Sequence, residues 1–323
     1  MASIPDFKSG QTVSKAVGVG SSPTAPAKKL KRRINMGFLD QLKGISNIPE
    51  NKLHIIMGFP GSGKTTLAAT YPKPMLYVQI GDDGGGIVMK NYSDNDIKYL
   101  LLENDDKGSV YVKLMSLLDE LKASNGAGFK TVVLDAYSSI EEIMVQSASK
   151  IKGKALSFDE RGQISQAMIS LRDVIVSLSK NTPTIFVEIT HLKQVDSTDN
   201  ITGESTIRYI PKMSQGNGNI MLERANNVMY CARKVVTGDD GKPTVKFLTY
   251  IGAHPNIDTK FRASAGQNKL WESKGIYIDN CTYDKIKALN ENKLDEKVIN
   301  VIETSKIVDD NNTTNPFEEK KTW

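Results

Sequence analysis

Short apolar segments alternate with longer amphipathic ones through the middle of the chain. The short segments have the length of buried strands, whereas apolar residues recur at helical spacing over residues 110–121 and 158–178. Such alternation is typical of βαβ units, in which helices cover both faces of a mostly parallel sheet. The pattern therefore predicts an α/β fold with a twisted, mostly parallel sheet. The predicted strands are residues 53–57, 74–80, 131–135 and 184–190.

The pattern changes after residue 194. Residues 196–219 are polar and Gly-rich without periodicity, and a connection of that length is either functional or disordered. The β-rich segments that follow predict an antiparallel extension of the sheet on its C-terminal side, and Gly-Asp-Asp-Gly at 238–241 predicts a hairpin turn. These segments are residues 227–232, 244–250 and 275–278.

The two ends of the chain differ in composition from its middle. Residues 1–47 are rich in Ser, Gly, Pro, Ala and Lys, which predicts a disordered basic arm. Its basic run, residues 28–33, is either a solvated tail or a segment that contacts nucleic acid. We expect a folded core over 48–285, a C-terminal helix over 286–303 and a flexible acidic and polar tail over 304–323.

Residues 58–65 fit G-x-x-x-x-G-K-[ST], the phosphate-binding loop of nucleotide hydrolases. The glycines let the backbone wrap around phosphate oxygens, Lys64 supplies a charge for the β- and γ-phosphates, and Thr65 supplies a hydroxyl for Mg²⁺. A predicted strand before the loop and a helical turn after it complete the arrangement that binds phosphate. The candidate nucleotide-binding residues are Gly58, Pro60, Gly61, Ser62, Gly63, Lys64, Thr65 and Thr66.

Polar side chains at the ends of three further predicted strands are candidates for metal binding and catalysis. Asp135 ends an apolar strand where α/β sheets bind ligands, which makes it the candidate Mg²⁺ carboxylate. Asp82 or Asp83 could position or deprotonate the attacking water, although an acidic turn is the other interpretation. His191 and Gln194 could sense the γ-phosphate, or His191 could be a satisfied histidine at the edge of the core.

Composition and charge are those of an ordinary soluble protein. The 323 residues carry a net charge of +5, which permits a polyanionic partner without requiring one. We find no apolar run long enough to cross a bilayer and no secretory signal, so we expect a cytoplasmic protein without a membrane partner. Cys231 and Cys281 lie far apart without metal-type spacing, which predicts two reduced thiols.

The order of these parts resembles that of RecA-type ATPases and, more closely, the compact phage recombination ATPases of the Sak type. The resemblance spans about residues 50–265 and rests mainly on the phosphate loop and its continuation to Pro74. Pro211-Lys212-Met213 after His191 adds to it, as does Thr259-Lys260-Phe261-Arg262, which resembles the Lys-x-Arg of such subunit interfaces. Asp83 stands where the family usually has Glu, so slow hydrolysis is expected.

The resemblance implies ATP and Mg²⁺ as ligands and a homo-oligomeric ring or filament with ATP between subunits. Lys260 and Arg262 would then act on the nucleotide of a neighbouring subunit. Residues 196–219 would be a loop for single-stranded DNA, in which Arg208 and Lys212 contact phosphates and Tyr209 stacks a base. A mobile surface excursion is the alternative for this segment.

The predicted activity is therefore a slow, DNA-dependent ATPase of phage-type recombination, annealing or replication. The polar tail around Asn315-Pro316-Phe317 resembles the acidic tips of single-strand-binding proteins, so such a protein is a candidate partner, with a plain solvated tail as the alternative. A helicase or packaging motor, a small-molecule kinase and a protein that uses ATP as a structural ligand stay open. The kinase is weakened because no arginine lies between Lys64 and Asp135.

Overall fold

The computed structural model describes residues 49–81, 84–92, 96–106, 108–198, 205–237, 241–262, 275–291 and 293–301. The predicted arm over 1–47 and the tail over 304–323 lie outside these residues, as do Asp82 and Asp83. The strands are β1 (Leu53–Gly58), β2 (Met75–Ile80), β3 (Ile97–Leu102), β4 (Thr131–Asp135), β5 (Ile185–Thr198), β6 (Ser205–Pro211), β7 (Asn227–Thr237), β8 (Pro243–Ile251), β9 (Lys260–Phe261), β10 (Ile276–Asp279) and β11 (Ile299–Val301). The helices are α1 (Lys64–Ala68), α2 (Gly85–Lys90), α3 (Val110–Ala123), α4 (Ser139–Lys152), α5 (Phe158–Asn181), α6 (Gln215–Arg224) and α7 (Tyr283–Asn290).

One large sheet organises these elements in the order β11-β10-β8-β7-β1-β5-β4-β2-β3. All neighbours from β7 to β3 are parallel, whereas β8, β10 and β11 are antiparallel to their neighbours. The predicted α/β class is confirmed, together with the antiparallel extension on the C-terminal side. The exception is residues 227–232, which lie in β7 and pair in parallel with β1. The reason is that α6 precedes β7 and supplies the helical crossover that a parallel strand needs.

Two apolar layers enclose the central strands. Alternate residues of β1 enter different layers, Leu53 and Ile55 on one face and Ile56 on the other. The first layer packs the sheet against α3 and α5, and the second packs it against α1 and α7. Because both faces are covered, all residues of β1, β2 and β4 are buried, which explains why these strands are continuous apolar runs in the sequence.

The sequence predicts a long aperiodic connection over residues 196–219, functional or disordered, whereas the described part of this segment forms regular secondary structure. β5 continues to Thr198 and pairs with β6, from Leu192 opposite Pro211 to Thr198 opposite Ser205. This hairpin has polar side chains on both faces because it extends beyond the layered core, so its apolar periodicity is weak. The Gly-rich stretch after it begins α6, which packs beside the end of β6: a Cβ on Gly218 would make ordinary contact at 3.6 Å with both Pro211 and Met213.

The predicted C-terminal helix over residues 286–303 also differs from the structure. The helix, α7, begins at Tyr283, where the Thr282 side chain accepts a hydrogen bond from the Lys285 amide, and it ends at Asn290. Residues 299–301 instead form β11, which adds an antiparallel strand beside β10. The helix therefore stops where the chain turns back to extend the sheet.

The structure also bears on the predictions for the two cysteines and for membrane-spanning helices. Both cysteines are buried free thiols, as predicted. Of the helices in the described residues, none combines the length and apolar character that spanning a bilayer requires.

Candidate nucleotide-binding site

The phosphate loop (residues 58–65) leaves the buried end of β1 and folds back into a compact turn. Gly61 and Gly63 have φ angles of 73° and 86°, in the left-handed region that favours glycine. Gly58 is required for another reason, because a Cβ there would lie 2.4 Å from Ser62 Oγ and 2.5 Å from the Cys231 carbonyl oxygen. The three glycines of the loop therefore each meet a specific steric demand.

The Lys64 side chain lies inside this loop. Lys64 begins α1, is only 6% exposed, and donates a hydrogen bond from Nζ to the Phe59 carbonyl oxygen at 2.9 Å. An ammonium group held among backbone groups of the loop is placed to exchange that carbonyl for phosphate oxygens. The geometry fits the predicted role of Lys64 in binding the β- and γ-phosphates.

The two predicted metal ligands are brought together at the ends of α1 and β4. Thr65 Oγ1 donates a hydrogen bond to Asp135 Oδ2 at 3.0 Å, and Asp135 is only 2% exposed. The Tyr77 hydroxyl donates to the same carboxylate oxygen at 2.6 Å. A hydroxyl and a carboxylate at this separation can both reach one Mg²⁺, which prefers oxygen ligands at about 2.1 Å. The residues present therefore fit a magnesium ion.

Tyr77 was not identified from the sequence. It lies in the middle of an apolar strand, where an aromatic residue is expected in the core, and only the pairing of β2 with β4 brings it to Asp135. The hydrogen bond from Tyr77 fixes the position of Asp135 Oδ2 and so orients the whole carboxylate.

The segment that carries Asp82 and Asp83 lies outside the described residues, but the residues that follow it approach the metal ligands. A Cβ on Gly85 would lie 2.2 Å from the Tyr77 hydroxyl and 2.7 Å from Asp135 Oδ2, and the Gly86 amide donates to Gln79 Oε1 at 3.0 Å. The start of α2 thus packs directly on Asp135. The catalytic role of the two acids stays a prediction.

His191 lies beside the first residue of the phosphate loop. It is paired in register with Gly58, its amide donates to Ser138 Oγ at 3.1 Å, and its carbonyl oxygen accepts from the Lys212 amide at 2.8 Å. Ser138 follows β4 closely, so His191 connects the end of the strand that carries Asp135 with the β5–β6 hairpin. The role of His191 as a γ-phosphate sensor stays a prediction.

The predicted DNA contacts on the hairpin have partners within the chain. Arg208 Nη2 lies 2.8 Å from Asp258 Oδ1, and Lys212 Nζ lies 3.2 Å from Glu142 Oε2. The Tyr209 ring meets the Phe59 ring of the phosphate loop edge-on, with centroids 5.2 Å apart and planes at 89°. Tyr209 therefore links the hairpin to the phosphate loop, and its role in stacking a base stays a prediction.

Lys260 and Arg262 lie at the other end of the same strands. Lys260 pairs with Val228 at the start of β7, and its Nζ donates to the carbonyl oxygens of Leu222 and Glu223 at 2.7 and 2.9 Å. Burial, with a further contribution from the Arg262 charge, lowers the pKa of Lys260 to about 8. The pair is thus placed away from the phosphate loop of its own chain.

Two residues of the β7–β8 hairpin complete the surroundings of the loop and were also missed. A Cβ on Gly61 would lie 3.4 Å from Arg233 Nη1, and one on Gly63 would lie 2.9 Å from Phe247 Cδ1. Arg233 and Phe247 are opposite each other in the register of β7 and β8. No local signal could have identified them, because their position depends on β7 lying beside β1.

A parallel sheet with this loop at the carboxyl end of β1, a threonine at the start of the next helix and an aspartate at the end of β4 defines a P-loop NTPase. In agreement, the profile of a family described as "AAA domain" matches residues 50–263, about two thirds of the chain. The chain therefore belongs to this AAA-type P-loop NTPase family, whose members bind ATP. A search of curated proteins finds no match.

Proposed function

We propose that the protein hydrolyses ATP in its phosphate loop and that single-stranded DNA bound at the β5–β6 hairpin stimulates this hydrolysis. The observation that carries the ATPase part is the convergence of Lys64, Thr65 and Asp135 at the carboxyl end of β1 and β4. The Tyr77 hydroxyl also fixes the orientation of the Asp135 carboxylate, a contact that a Gly-rich turn without a ligand would not need.

The chain's own groups divide the work of phosphoryl transfer. Loop amides and Lys64 bind the phosphate oxygens and stabilise charge that develops on them. Thr65 and Asp135 would hold Mg²⁺, which would supply positive charge to neutralise the phosphates. Asp82 or Asp83 orients the attacking water, and a short Asp in the place of Glu makes this step slow.

Contacts between the hairpin and α4 support coupling of ATP to a second ligand. α4 begins just after Asp135, and its Glu141 and Glu142 bind the Ser214 amide and the Lys212 ammonium group at 2.9 and 3.2 Å. With the Ser138–His191 hydrogen bond, these contacts connect the metal site to the base of the hairpin. A change of phosphate occupancy can therefore shift the hairpin through named contacts.

Charge and exposure favour nucleic acid as that second ligand. The ion pairs of Arg208 and Lys212 are solvent-exposed, and such pairs contribute little to stability. Phosphates can therefore replace Asp258 and Glu142 as partners of these cations. Binding that relies on backbone phosphates is sequence-tolerant and weakens steeply with salt.

The resemblance to Sak-type RecA-like ATPases supports a role in phage recombination, annealing or replication and a homo-oligomer with ATP between subunits. We assign the contact in trans to Arg262, whose side chain is exposed, because the Lys260 amine is engaged with α6. Mixing Arg262→Ala protein with Lys64→Ala protein tests this assignment. Partial recovery of ATPase activity from two inactive proteins is expected, and no recovery would place Arg262 outside the neighbour's site.

The experiment for the whole proposal is ATP turnover with and without an oligonucleotide. We expect slow turnover that single-stranded DNA raises and that Lys64→Ala abolishes. Turnover that needs a small-molecule acceptor would indicate a kinase, stimulation by duplex DNA with strand separation would indicate a motor, and binding without turnover would indicate a structural ligand. Each of these outcomes would replace the proposed function.

A further inference from the structure

Arg233 lies at the flank of the phosphate loop that faces away from Asp135. In the sheet, β7 is the neighbour of β1 on one side and β5 is the neighbour on the other, with β4 beyond it. Cys231 is paired in register with Gly58, so Arg233 stands two residues past the start of the loop, at the same edge of the sheet. The metal ligands and Arg233 therefore approach the loop from opposite sides.

The direction of the Arg233 side chain follows from strand alternation. Met229 and Cys231 belong to the apolar layer that contains Leu67 and Ala68 of α1. Arg233 is the next residue of that series, so it points to the face on which α1 follows the loop. Its guanidinium consequently lies against the middle of the loop, with Nη1 and Cζ 3.4 and 4.0 Å from the position of a Cβ on Gly61.

The surroundings of this guanidinium lack a compensating charge. Arg233 is exposed, and among the described residues it takes part in none of the salt bridges. Phe247, opposite Arg233 in register, lies with its ring against Gly63. An unpaired cation held beside a phosphate-binding loop favours an anion at that place.

We propose that Arg233 binds the phosphate chain of the nucleotide held in the phosphate loop of its own chain. The inference rests on the proposed function, since it requires that the loop binds ATP. Lys64 would neutralise the phosphates from within the loop, Mg²⁺ held by Thr65 and Asp135 would do so from the β4 side, and Arg233 does so from the β7 side. A planar guanidinium can donate two parallel hydrogen bonds to phosphate oxygens, which an ammonium group cannot.

The test is equilibrium binding of a fluorescent, non-hydrolysable ATP analogue to full-length variants. We expect Arg233→Ala to weaken binding roughly 10- to 100-fold, the loss typical of one charge-assisted hydrogen-bonding group. Arg233→Lys should recover part of the affinity because it keeps the charge without the bidentate geometry. Lys234→Ala is the matched control, since it removes the same charge from the opposite face of β7 and should leave affinity unchanged.

Two results would overturn the inference. Binding by Arg233→Ala within twofold of the wild type, while Lys64→Ala has lost binding, would leave the site in place and exclude Arg233 from it. Unchanged binding by Lys64→Ala would show that the loop is not the nucleotide site, and the proposed function would fail together with the inference. A thermal melt without nucleotide checks folding, and Arg233→Gln, which keeps length and polarity, replaces Arg233→Ala if that variant does not fold.

Discussion

The two edges of the parallel sheet carry the same residue types in different surroundings. At the amino edge, where the strands begin, His54 is buried between Tyr71 and Asn227, with 2.9 Å from Nδ1 to the tyrosine hydroxyl and 3.3 Å from Nε2 to the amide. Lys260 at this edge binds the last carbonyl groups of α6. These side chains hold one element of the fold to another.

At the carboxyl edge, Lys64 and His191 lie in and beside a loop rather than between packed elements. Lys64 donates to a loop carbonyl, and Asp135 accepts from Thr65 and Tyr77. Phosphate oxygens can replace the loop carbonyl as the partner of Lys64, and a divalent cation can bind beside Asp135. Neither change requires unpacking of the core. Residue type alone therefore does not mark a site, and we expect a lysine to bind a ligand where its partner within the chain can be exchanged.

Removing the carboxylate of Asp135 at the carboxyl edge should have the largest effect on activity. Asp135→Asn should lower Mg²⁺-dependent hydrolysis on the order of 1000-fold, because a neutral amide pairs poorly with a hard cation and several kcal/mol of charge stabilisation are lost. Steady-state ATP turnover across a Mg²⁺ titration measures this. Wild-type turnover in the variant would remove Asp135 from the metal site.

Substitution of the acids that follow β2, Asp82 and Asp83, should have the next largest effect on ATP turnover. Asp83→Asn should slow turnover on the order of 100-fold while leaving nucleotide binding intact, since a group that orients water acts mainly in the transition state. Asp82→Asn is the matched control in the neighbouring position. If Asp82→Asn is the slow variant and Asp83→Asn is not, the two roles are exchanged.

We expect substitutions at the amino edge of the sheet to change the stability of the fold rather than catalysis. Burial lowers the pKa of His54 to about 4, below its value of about 6.5 in the unfolded chain. The unfolded state therefore binds the proton more readily, and stability is lost as the pH falls below about 6.5 towards 4. Protonation of His54 in the unfolded state should lower the free energy of unfolding by about 2 kcal/mol at pH 5 relative to pH 8. Urea unfolding of the wild type and of His54→Gln at both pH values measures it: the variant should lose less stability on acidification, and equal losses would contradict the role of His54.

Removal of the Tyr77 hydroxyl tests the metal site separately from the packing of the core. Tyr77→Phe keeps the ring in the core and removes only the hydrogen bond to Asp135, so the fold should be unaffected while the Mg²⁺ concentration for half-maximal turnover rises roughly 10-fold. A change in melting temperature without a shift in this Mg²⁺ dependence would mean that Tyr77 serves packing alone.

The smallest expected effect concerns the hairpin. Asp258→Asn releases Arg208 from its ion pair and should strengthen binding of a labelled single-stranded oligonucleotide a few-fold, whereas Arg208→Ala should weaken it and flatten the salt dependence. Fluorescence anisotropy over a salt series measures both. Equal affinity in all three proteins would place DNA elsewhere, or exclude it.

Local signals account for the parts of the molecule that the sequence predicts well. The phosphate loop, β4 and its terminal Asp135 are each specified within a few consecutive residues, and the central strands are continuous apolar runs because both of their faces are covered. The structure adds that the two predicted metal ligands, 70 positions apart in sequence, meet at 3.0 Å.

What the sequence does not predict depends on strand order or on exposure. Tyr77 and Arg233 reach the site only because β2 lies beside β4 and β7 beside β1. The β5–β6 hairpin lacks apolar alternation because it projects beyond the core, and α4, which the periodicity did not reveal, buries only Ile140 completely among its residues. A single chain gives no information on such neighbours before the fold is known.

The most direct test of the central claim is the binding of a non-hydrolysable ATP analogue to Lys64→Ala and Lys260→Ala proteins, compared with the wild type. We expect Lys64→Ala to lose at least about 100-fold in affinity, since it removes a charge from the phosphate site. Lys260→Ala should bind as the wild type does and lose only thermal stability. Intact binding by Lys64→Ala, or loss of binding by Lys260→Ala alone, would contradict the account.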